Sequence, residues 1–309
     1  MVSIRTWFRR REPNQLSPVA NTIFNGFFLL YAAACVFPVL IIISISISSE
    51  ESIMRYGYSL IPRAFSLKSY DMLFKDGVTI ARSYGVTIFT TLIGMAMCVV
   101  TVCLYAYPLS RLTFKFRKFF MFFLFFTMLF GGGLVPSYVV NTNLLNFKDN
   151  IWAMILPMGF NAFWVIVMRT FYKTQIPESL IESARIDGAG EWYTLLRIVI
   201  PLSLPGIATV ALFSTIGIWN DFFLNLLYIR DTALYNLQRL IQQTLNSITM
   251  LRDMAFKIGT AGGTIDLKNL PNETFRMAIC VVTIGPIVLA YPFFQKYFIR
   301  GLTIGAIKE

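Results

Sequence analysis

Apolar residues gather into six long runs along the chain, roughly 22–46, 84–108, 119–140, 151–171, 205–228 and 275–297. Each approaches or exceeds the ~20 residues that a helix needs to cross the hydrocarbon core of a bilayer. Lipid offers no water to satisfy backbone N–H and C=O groups, so each run is predicted to be helical. The expected fold class is therefore all-α, a polytopic membrane protein with six transmembrane helices. Pro38, Pro157 and Pro286 fall inside the runs and predict kinks, because proline removes a backbone donor and crowds the preceding turn. Gly131-Gly132-Gly133 followed by Pro136 predicts a break in the third run. Irregular backbone at that depth is tolerated only against protein or a water-filled cavity, so the third run is expected to line one.

Between the runs, charge separates the connections. Arg5, Arg9, Arg10 and Arg11 precede the first run, and Arg111, Lys115, Arg117 and Lys118 join the second to the third with no acid among them. The next connection, around Lys148 and Asp149, is balanced. Basic short loops stay in the cytoplasm. That rule puts the N-terminus, the second-to-third connection, the segment after the fourth run and the C-terminus on the cytoplasmic side. An even number of spans agrees. The implied organisation is a cytoplasmic arm (1–21), a six-helix body (22–299) with a cytoplasmic segment at 176–200 and outer loops at 49–83 and 230–274, and a cytoplasmic tail (300–309). Ala32-Ala33-Ala34-Cys35 resembles a signal-peptide cleavage site, but the apolar run continues to Ile47 and reads as an uncleaved first span. In the second outer loop Leu234, Leu237, Ile241, Leu245 and Ile248 recur at helical spacing. They predict an amphipathic helix outside the membrane, either packed on the other outer loops or facing a partner. The stretch from Gly259 to Gly263 reads as loop, and without a lysine it is not a phosphate-binding loop.

Composition narrows the function classes. Of 309 residues 56% are hydrophobic and 14% charged, against about 25% charged in soluble domains. The net charge of +11 would suit nucleic acid, yet basic cytoplasmic loops account for it. The bilayer is the expected partner and nucleic acid is not. Cys35, Cys98, Cys103 and Cys280 all lie inside apolar runs without metal-ligand spacing, and are expected to be small packing residues. The chain contains no histidine, which removes most general-base, triad and zinc chemistry. No catalytic or metal site is expected.

The segment between the fourth and fifth runs, 176–191, has an unusual order. Pro177 suits a helix start and Glu178 its positive dipole end. Glu178, Glu182 and Arg185 share one face, and Pro177, Ile181 and Ala184 another. Gly188 is expected to end the helix with a positive φ. A second helix follows with Trp192, Leu195, Leu196 and Val199 on one stripe, closed by Pro201 and Pro205. Two short helices at a glycine corner form a compact cytoplasmic knob. Spacing alone equally allows an ordinary hairpin lying on the membrane.

Glu182-Ser183-Ala184, then Asp187-Gly188-Ala189, then Ile198-Val199-Ile200-Pro201 resemble the EAA motif of binding-protein-dependent ABC importer permeases, with Ser183 in place of the first alanine. The six-span layout, Phe130-Gly131-Gly132-Gly133-Leu134-Val135-Pro136, Trp219-Asn220-Asp221-Phe222 and the ending from Arg300 to Glu309 resemble the carbohydrate-uptake branch, and within it the oligosaccharide permeases that pair with a lipoprotein receptor. The resemblance implies that Glu182, Ser183, Ala184, Asp187, Gly188, Ala189 and Pro201 form a coupling helix that docks on a separate ATPase. It also implies a second permease subunit, two ATPase subunits, an extracellular solute-binding lipoprotein and a bacterial cell-membrane location. ATP and Mg2+ would sit on the partner ATPase, with no cofactor on this chain. The sequence agrees in having no G-x-x-x-x-G-K-[ST] element, so uphill transport needs energy from another polypeptide. The tail 300–309 is implied to reach the ATPases as well.

Asp221 lies about sixteen residues into the fifth run, roughly 24 Å along it. A carboxylate near the bilayer centre costs roughly 2.5–3.5 kcal/mol, less towards the interface. With Asn220 and Asn225 it forms a polar stretch expected to face the bundle or a solute path. Rings stack on sugar faces and amides bond hydroxyls, so Asn161, Trp219, Asn220, Asp221 and Asn225 are the candidate pathway residues. An interhelical hydrogen-bond lock explains them equally well. A membrane enzyme would show clustered acids or metal ligands. An ion-coupled transporter would show several intramembrane carboxylates and an internal repeat. Neither is present in the sequence. A scaffold would leave the knob unexplained. Neutral and acidic oligosaccharides both remain compatible.

Overall fold

The computed structural model describes residues 17–75, 77–260 and 273–306. The arginines at 5 and 9–11, most of the predicted loop at 259–263 and the last three residues lie outside them. Helices make up the regular structure, with one isolated bridge between Ser48 and Phe65. In chain order they are α1 (Pro18–Ser46), α2 (Glu50–Tyr56), α3 (Lys68–Phe74), α4 (Gly77–Ser110), α5 (Arg117–Leu129), α6 (Leu134–Val139), α7 (Trp152–Ile155) and α8 (Ala162–Gln175). Then follow α9 (Glu178–Ile186), α10 (Glu191–Tyr193), α11 (Ile200–Leu202), α12 (Leu204–Trp219), α13 (Phe223–Tyr228), α14 (Leu237–Thr260) and α15 (Glu273–Ala306). Among the described residues α1 and α4 are each long and apolar enough to cross a membrane. Three bent pairs, Arg117–Leu129 with Leu134–Leu144, Trp152–Met158 with Ala162–Gln175, and Glu191–Leu202 with Leu204–Trp219, bring the candidates to five.

The breaks have local causes. Gly133 takes a φ of 83°, and the two halves of the third run meet at 108°. Pro157 sits in a 3-10 turn at Leu156–Met158, where the fourth run bends by 44°. Pro38 leaves α1 continuous, as Pro286 leaves α15. The fifth run is not one helix: α12 stops at Trp219 and α13 starts at Phe223. Nor does the helix after Gly190 close at Pro201; it runs to Leu202 and bends by 78° into α12. A wide π turn at Thr194–Val199 precedes Pro201, and such widening relieves the clash between a proline ring and the carbonyl four residues earlier. The expected stripe splits in consequence: Leu195 and Val199 are buried while Trp192 and Leu196 are exposed.

The chain divides into two compact units, Met1–Tyr70 with Pro271–Val281, and Asp71–Leu270 with Val282–Glu309. In the first, Ser17 caps α1 by accepting from the Ala20 N–H at 3.2 Å. The apolar side chains of α1 stay exposed until Ser44, Ile45 and Ser46, as expected of a helix that meets lipid or another chain. Cys35 is among them, so it is not a packing residue within the chain, whereas Cys98 and Cys103 are buried. The Glu50 carboxylate satisfies the orphan amides of Glu273 and Thr274 at the start of α15, at 3.1 and 3.0 Å.

In the second unit α8 and α12 pack along α4. Small residues permit close approach, as is usual between membrane helices. A Cβ on Gly94 would lie 2.8 Å from Ile218 Cδ1, and one on Gly206 would lie 3.0 Å from the Phe171 ring. Cys98, Val102, Cys103, Leu109, Val165, Met168 and Tyr172 form the core, which continues without a gap into Ile176, Ile181, Leu195 and Val199 of the predicted knob. A second cluster joins Phe147, Met154, Tyr228, Ile229 and Tyr235. The predicted amphipathic helix is α14. It begins at Leu237, buried at 2% exposure, and packs on α4, where the Leu237 N–H donates to Thr87 Oγ1 at 2.8 Å. Ile241, Leu245 and Ile248 are half-buried, Leu234 precedes the helix, and Gly259 and Thr260 still belong to it.

Candidate functional site

The knob is built from α9 upward. Pro177 stands at its N-cap, and Glu178 occupies the first turn. At the other end Asp187 is the C-cap, Gly188 adopts a φ of 84°, and two hydrogen bonds close the turn. The Ala189 N–H donates to the Ala184 carbonyl at 2.9 Å and the Gly188 N–H to that of Arg185 at 3.1 Å. This is the Schellman arrangement, in which a left-handed residue lets the chain turn back while the last carbonyls stay satisfied. No atom lies within 4 Å of a Cβ built on Gly188, so glycine is required there by conformation and not by space. Ile181 and Ala184 are buried, as their spacing predicts, while Glu182, Ser183, Asp187 and Gly188 are exposed and Ala189 is half-buried. The Ser183 hydroxyl donates to the Ser179 carbonyl at 2.9 Å, turning its polar atom back onto its own helix.

Salt bridges and hydrogen bonds tie both ends of the knob to the end of α4. Tyr107 donates its hydroxyl to Glu191 Oε2 at 2.6 Å, and Arg185 pairs with Glu191 Oε1 at 3.0 Å. Arg111 reaches Glu178 at 3.5 Å and stacks its guanidinium 5.1 Å from the centre of the Tyr107 ring. The Tyr107 hydroxyl, and then Arg185, hold the Glu191 carboxyl below the ordinary glutamate range. Sequence reasoning missed Tyr107, Arg111 and Glu191. Tyr107 lies in the last turn of α4 and Arg111 just past its end, but no local signal pairs position 107 with position 191. Outside this clasp the surface carries the acidic Glu182 and Asp187 together with Ile186 at 86% and Trp192 at 68% exposure. Large apolar side chains left this exposed on a segment with acidic neighbours suit a docking face. Pro201 lies apart from it, close to the bend into α12.

The pathway candidates sit at two helix breaks. Asn161 caps α8, its Oδ1 accepting from the Phe163 and Trp164 N–H groups at 3.0 and 3.4 Å. Between α12 and α13, Asn220 is exposed and donates to the Ile216 carbonyl at 3.0 Å. The Asp221 carboxylate caps α13 by accepting from the Leu224 N–H at 3.3 Å, and its backbone carbonyl accepts from Asn236 Nδ2 at 2.6 Å. Trp219 and Asn225 are buried and committed inward: Trp219 Nε1 donates to the Thr283 carbonyl at 3.3 Å and Asn225 Nδ2 to the Leu234 carbonyl at 2.9 Å. Just beyond α13, Asp149 accepts the N–H groups of Arg230 and Asp231, which hold its carboxyl below the usual range. Among the described residues no cluster of acids and cysteines could hold a metal ion.

Comparison with known proteins sets this geometry in a family. Residues 106–304, which include α9, Gly188 and the clasp, match the family "Binding-protein-dependent transport system inner membrane component". Protein LplC of Bacillus subtilis (strain 168) is 39% identical over 308 residues, covering 100% of both chains. The polygalacturonan/rhamnogalacturonan transport system permease protein YtcP of the same organism is 38% identical, covering 93% of this chain and 98% of its own. The crystal structure of a bacterial ABC transporter involved in the import of the acidic polysaccharide alginate matches at a TM-score of 0.75 and 30% identity, covering 92% of this chain and 99% of that one. The Schellman-closed corner, the helix pairs bent around it and the whole-length likeness agree: this chain belongs to the inner-membrane permease family of binding-protein-dependent ABC transporters, as a non-catalytic membrane component.

Proposed function

We propose that this permease is one half of the membrane pathway of an ATP-driven importer of oligosaccharides, and that α9 with its Gly188 corner is where ATPase movement enters it. The observation that carries the proposal is the construction of the knob. Its inner residues Ile181, Leu195 and Val199 belong to the same core as α4 and α8, and its rim is clasped to Tyr107 and Arg111. A push on exposed Glu182, Asp187 or Ile186 is therefore transmitted to the spans as a rigid displacement. Gly188 supplies the corner, Ser183 and Ala184 keep the helix slim, Ala189 closes the turn, and Pro201 shapes the return into α12.

In this reading the chain crosses the membrane six times, the five candidate spans being joined by α15, with both termini and the knob in the cytoplasm. The assembly holds a second permease, two ATPase subunits that bind ATP and Mg2+, and an extracellular solute-binding lipoprotein. Asn220 and Asp221, at the break between α12 and α13, and Asn161, at the start of α8, are the groups offered to solute, with Trp219 and Asn225 fixing the break from behind. Among relatives with a stated cargo, the two at 30% identity or more, the polygalacturonan/rhamnogalacturonan permease and the alginate importer, handle acidic polymers, and this favours an acidic oligosaccharide as the substrate. The test is uptake into proteoliposomes carrying both permeases, the ATPase and the receptor, comparing oligogalacturonides with arabino-oligosaccharides. ATP-dependent uptake of the acidic sugar is expected. Uptake of the neutral sugar alone would overturn the substrate class, and ATP-independent uptake would overturn the importer.

A further inference from the structure

The first turns of α4 and the start of α14 meet around a cleft of about 400 Å³, within the roughly 300–1,000 Å³ of small-ligand sites. No residue of the knob or of the candidate pathway lines it. Arg82, from the second turn of α4, and Gln243, from α14, bring a guanidinium and an amide to it. Among the described residues neither side chain has a hydrogen-bond or ion-pair partner. The Thr244 and Ser247 hydroxyls donate to the Leu240 and Gln243 carbonyls of their own helix at 2.9 and 3.0 Å. Their oxygens keep lone pairs with which to accept from a ligand. Thr79 and Thr232 add two more hydroxyls, and Leu240 and Tyr235 complete the lining with carbon. No acid lines the cleft. Asp231, next to Thr232 in the chain, is turned onto the Ala233 N–H at 2.8 Å. Arg239 stacks 5.4 Å from the centre of the Tyr235 ring and adds a second cation beside that wall.

We propose that this cleft is a sugar subsite, taking one uronate unit of an oligosaccharide with its carboxylate on Arg82. A guanidinium pairs a carboxylate through two parallel donors. The Gln243 amide can both give to and accept from sugar hydroxyls, and the Thr244 and Ser247 oxygens accept from them. Leu240 and Tyr235 cover the apolar face of the pyranose. A lipid tail would meet hydroxyls and an amide instead of an apolar wall. The cleft is also tied to the break in the fifth run: Tyr235 is followed by Asn236, whose Nδ2 donates to the Asp221 carbonyl at 2.6 Å. The inference rests on the acidic-oligosaccharide reading and on the outer placement of α14.

Binding to the assembled permease and ATPase complex, without receptor or ATP, tests this with digalacturonate and its methyl ester as probes. The wild type is expected to bind the acid about tenfold more tightly than the ester, the scale of one charge-assisted contact. Arg82→Gln is expected to erase that preference, and Ser247→Trp, which fills the cleft, to weaken both. Arg82 and Ser247 are exposed, so either replacement leaves the core intact. Equal affinity of the wild type for acid and ester, or an unchanged preference in Arg82→Gln, would overturn the proposal. With the native cysteines replaced, digalacturonate is expected to slow thiol labelling of Ser247→Cys more than its ester does. Protection by the receptor but not by the sugar would make the cleft a protein contact and overturn the subsite. ATP-dependent uptake is scored separately. Oligogalacturonide uptake with no binding at the cleft overturns this site alone, whereas uptake of neutral sugars alone overturns the substrate reading beneath it.

Discussion

Gly188 and Asp221 do opposite kinds of work. A Cβ on Gly188 would meet nothing, so the glycine is needed for its backbone, whereas Asp221 is held by its side chain. A left-handed residue with a Cβ costs about 1–2 kcal/mol, and asparagine tolerates that region better than alanine. Gly188→Asn is therefore expected to melt closer to wild type than Gly188→Ala, with hydrogen exchange at residues 187–189 rising in the same order. Equal behaviour of the two would show that the corner is not conformational in origin. At Asp221, asparagine caps a helix as well as aspartate, and alanine loses about 1 kcal/mol. Asp221→Asn is expected to keep the melting temperature and to lower sugar uptake. Unchanged uptake would reduce the carboxylate to a cap for α13.

The element that organises the site is the end of α4. Tyr107→Phe and Glu191→Gln each remove one arm of the clasp, and the double variant is expected to be little worse than either single one. Their coupling should be about 1 kcal/mol, because Glu191 is largely exposed. Exchange rates across residues 185–195 read it. The Glu191 carboxyl is held below its ordinary value in the folded state. The clasp is then at full strength above that ordinary value and fails as pH falls through the lowered one. Glu191→Gln is expected to lose this acid dependence. What was legible in the sequence follows the range of the forces. The glycine break at residue 133, the corner at 188 and the buried pair Ile181 and Ala184 are local and were readable. The clasp joins residues 84 apart in the chain, and the polar stretch at Asn220 and Asp221 was read as facing a path or a neighbouring helix, not as the end of one helix and the start of another. Hydropathy also started α4 seven residues late, because Thr79, Arg82 and Ser83 interrupt the apolar residues of its first turns. The wide turn before Pro201 moved Trp192 off the buried stripe, which no fixed helical period can foresee.

At the scale of the whole molecule the proposed topology, with α9 inside the cell and α14 outside, can be tested directly. In a chain whose four native cysteines are replaced by serine, a membrane-impermeant thiol reagent added to intact cells is expected to label Ser247→Cys on α14. It should spare Ser183→Cys on α9 until the membrane is opened. Both positions are exposed on the chain itself, so the difference reports sidedness, and labelling of both in intact cells would invert the topology. The central claim is that the α9 knob is the mechanical contact with the ATPase. It is tested most directly by co-purifying the ATPase with the permease pair, comparing wild type with Glu182→Lys and Gly188→Asp. The account predicts that wild type retains the ATPase while both variants release it with the two permeases still paired. Equal retention by all three would contradict it and leave the knob a surface hairpin.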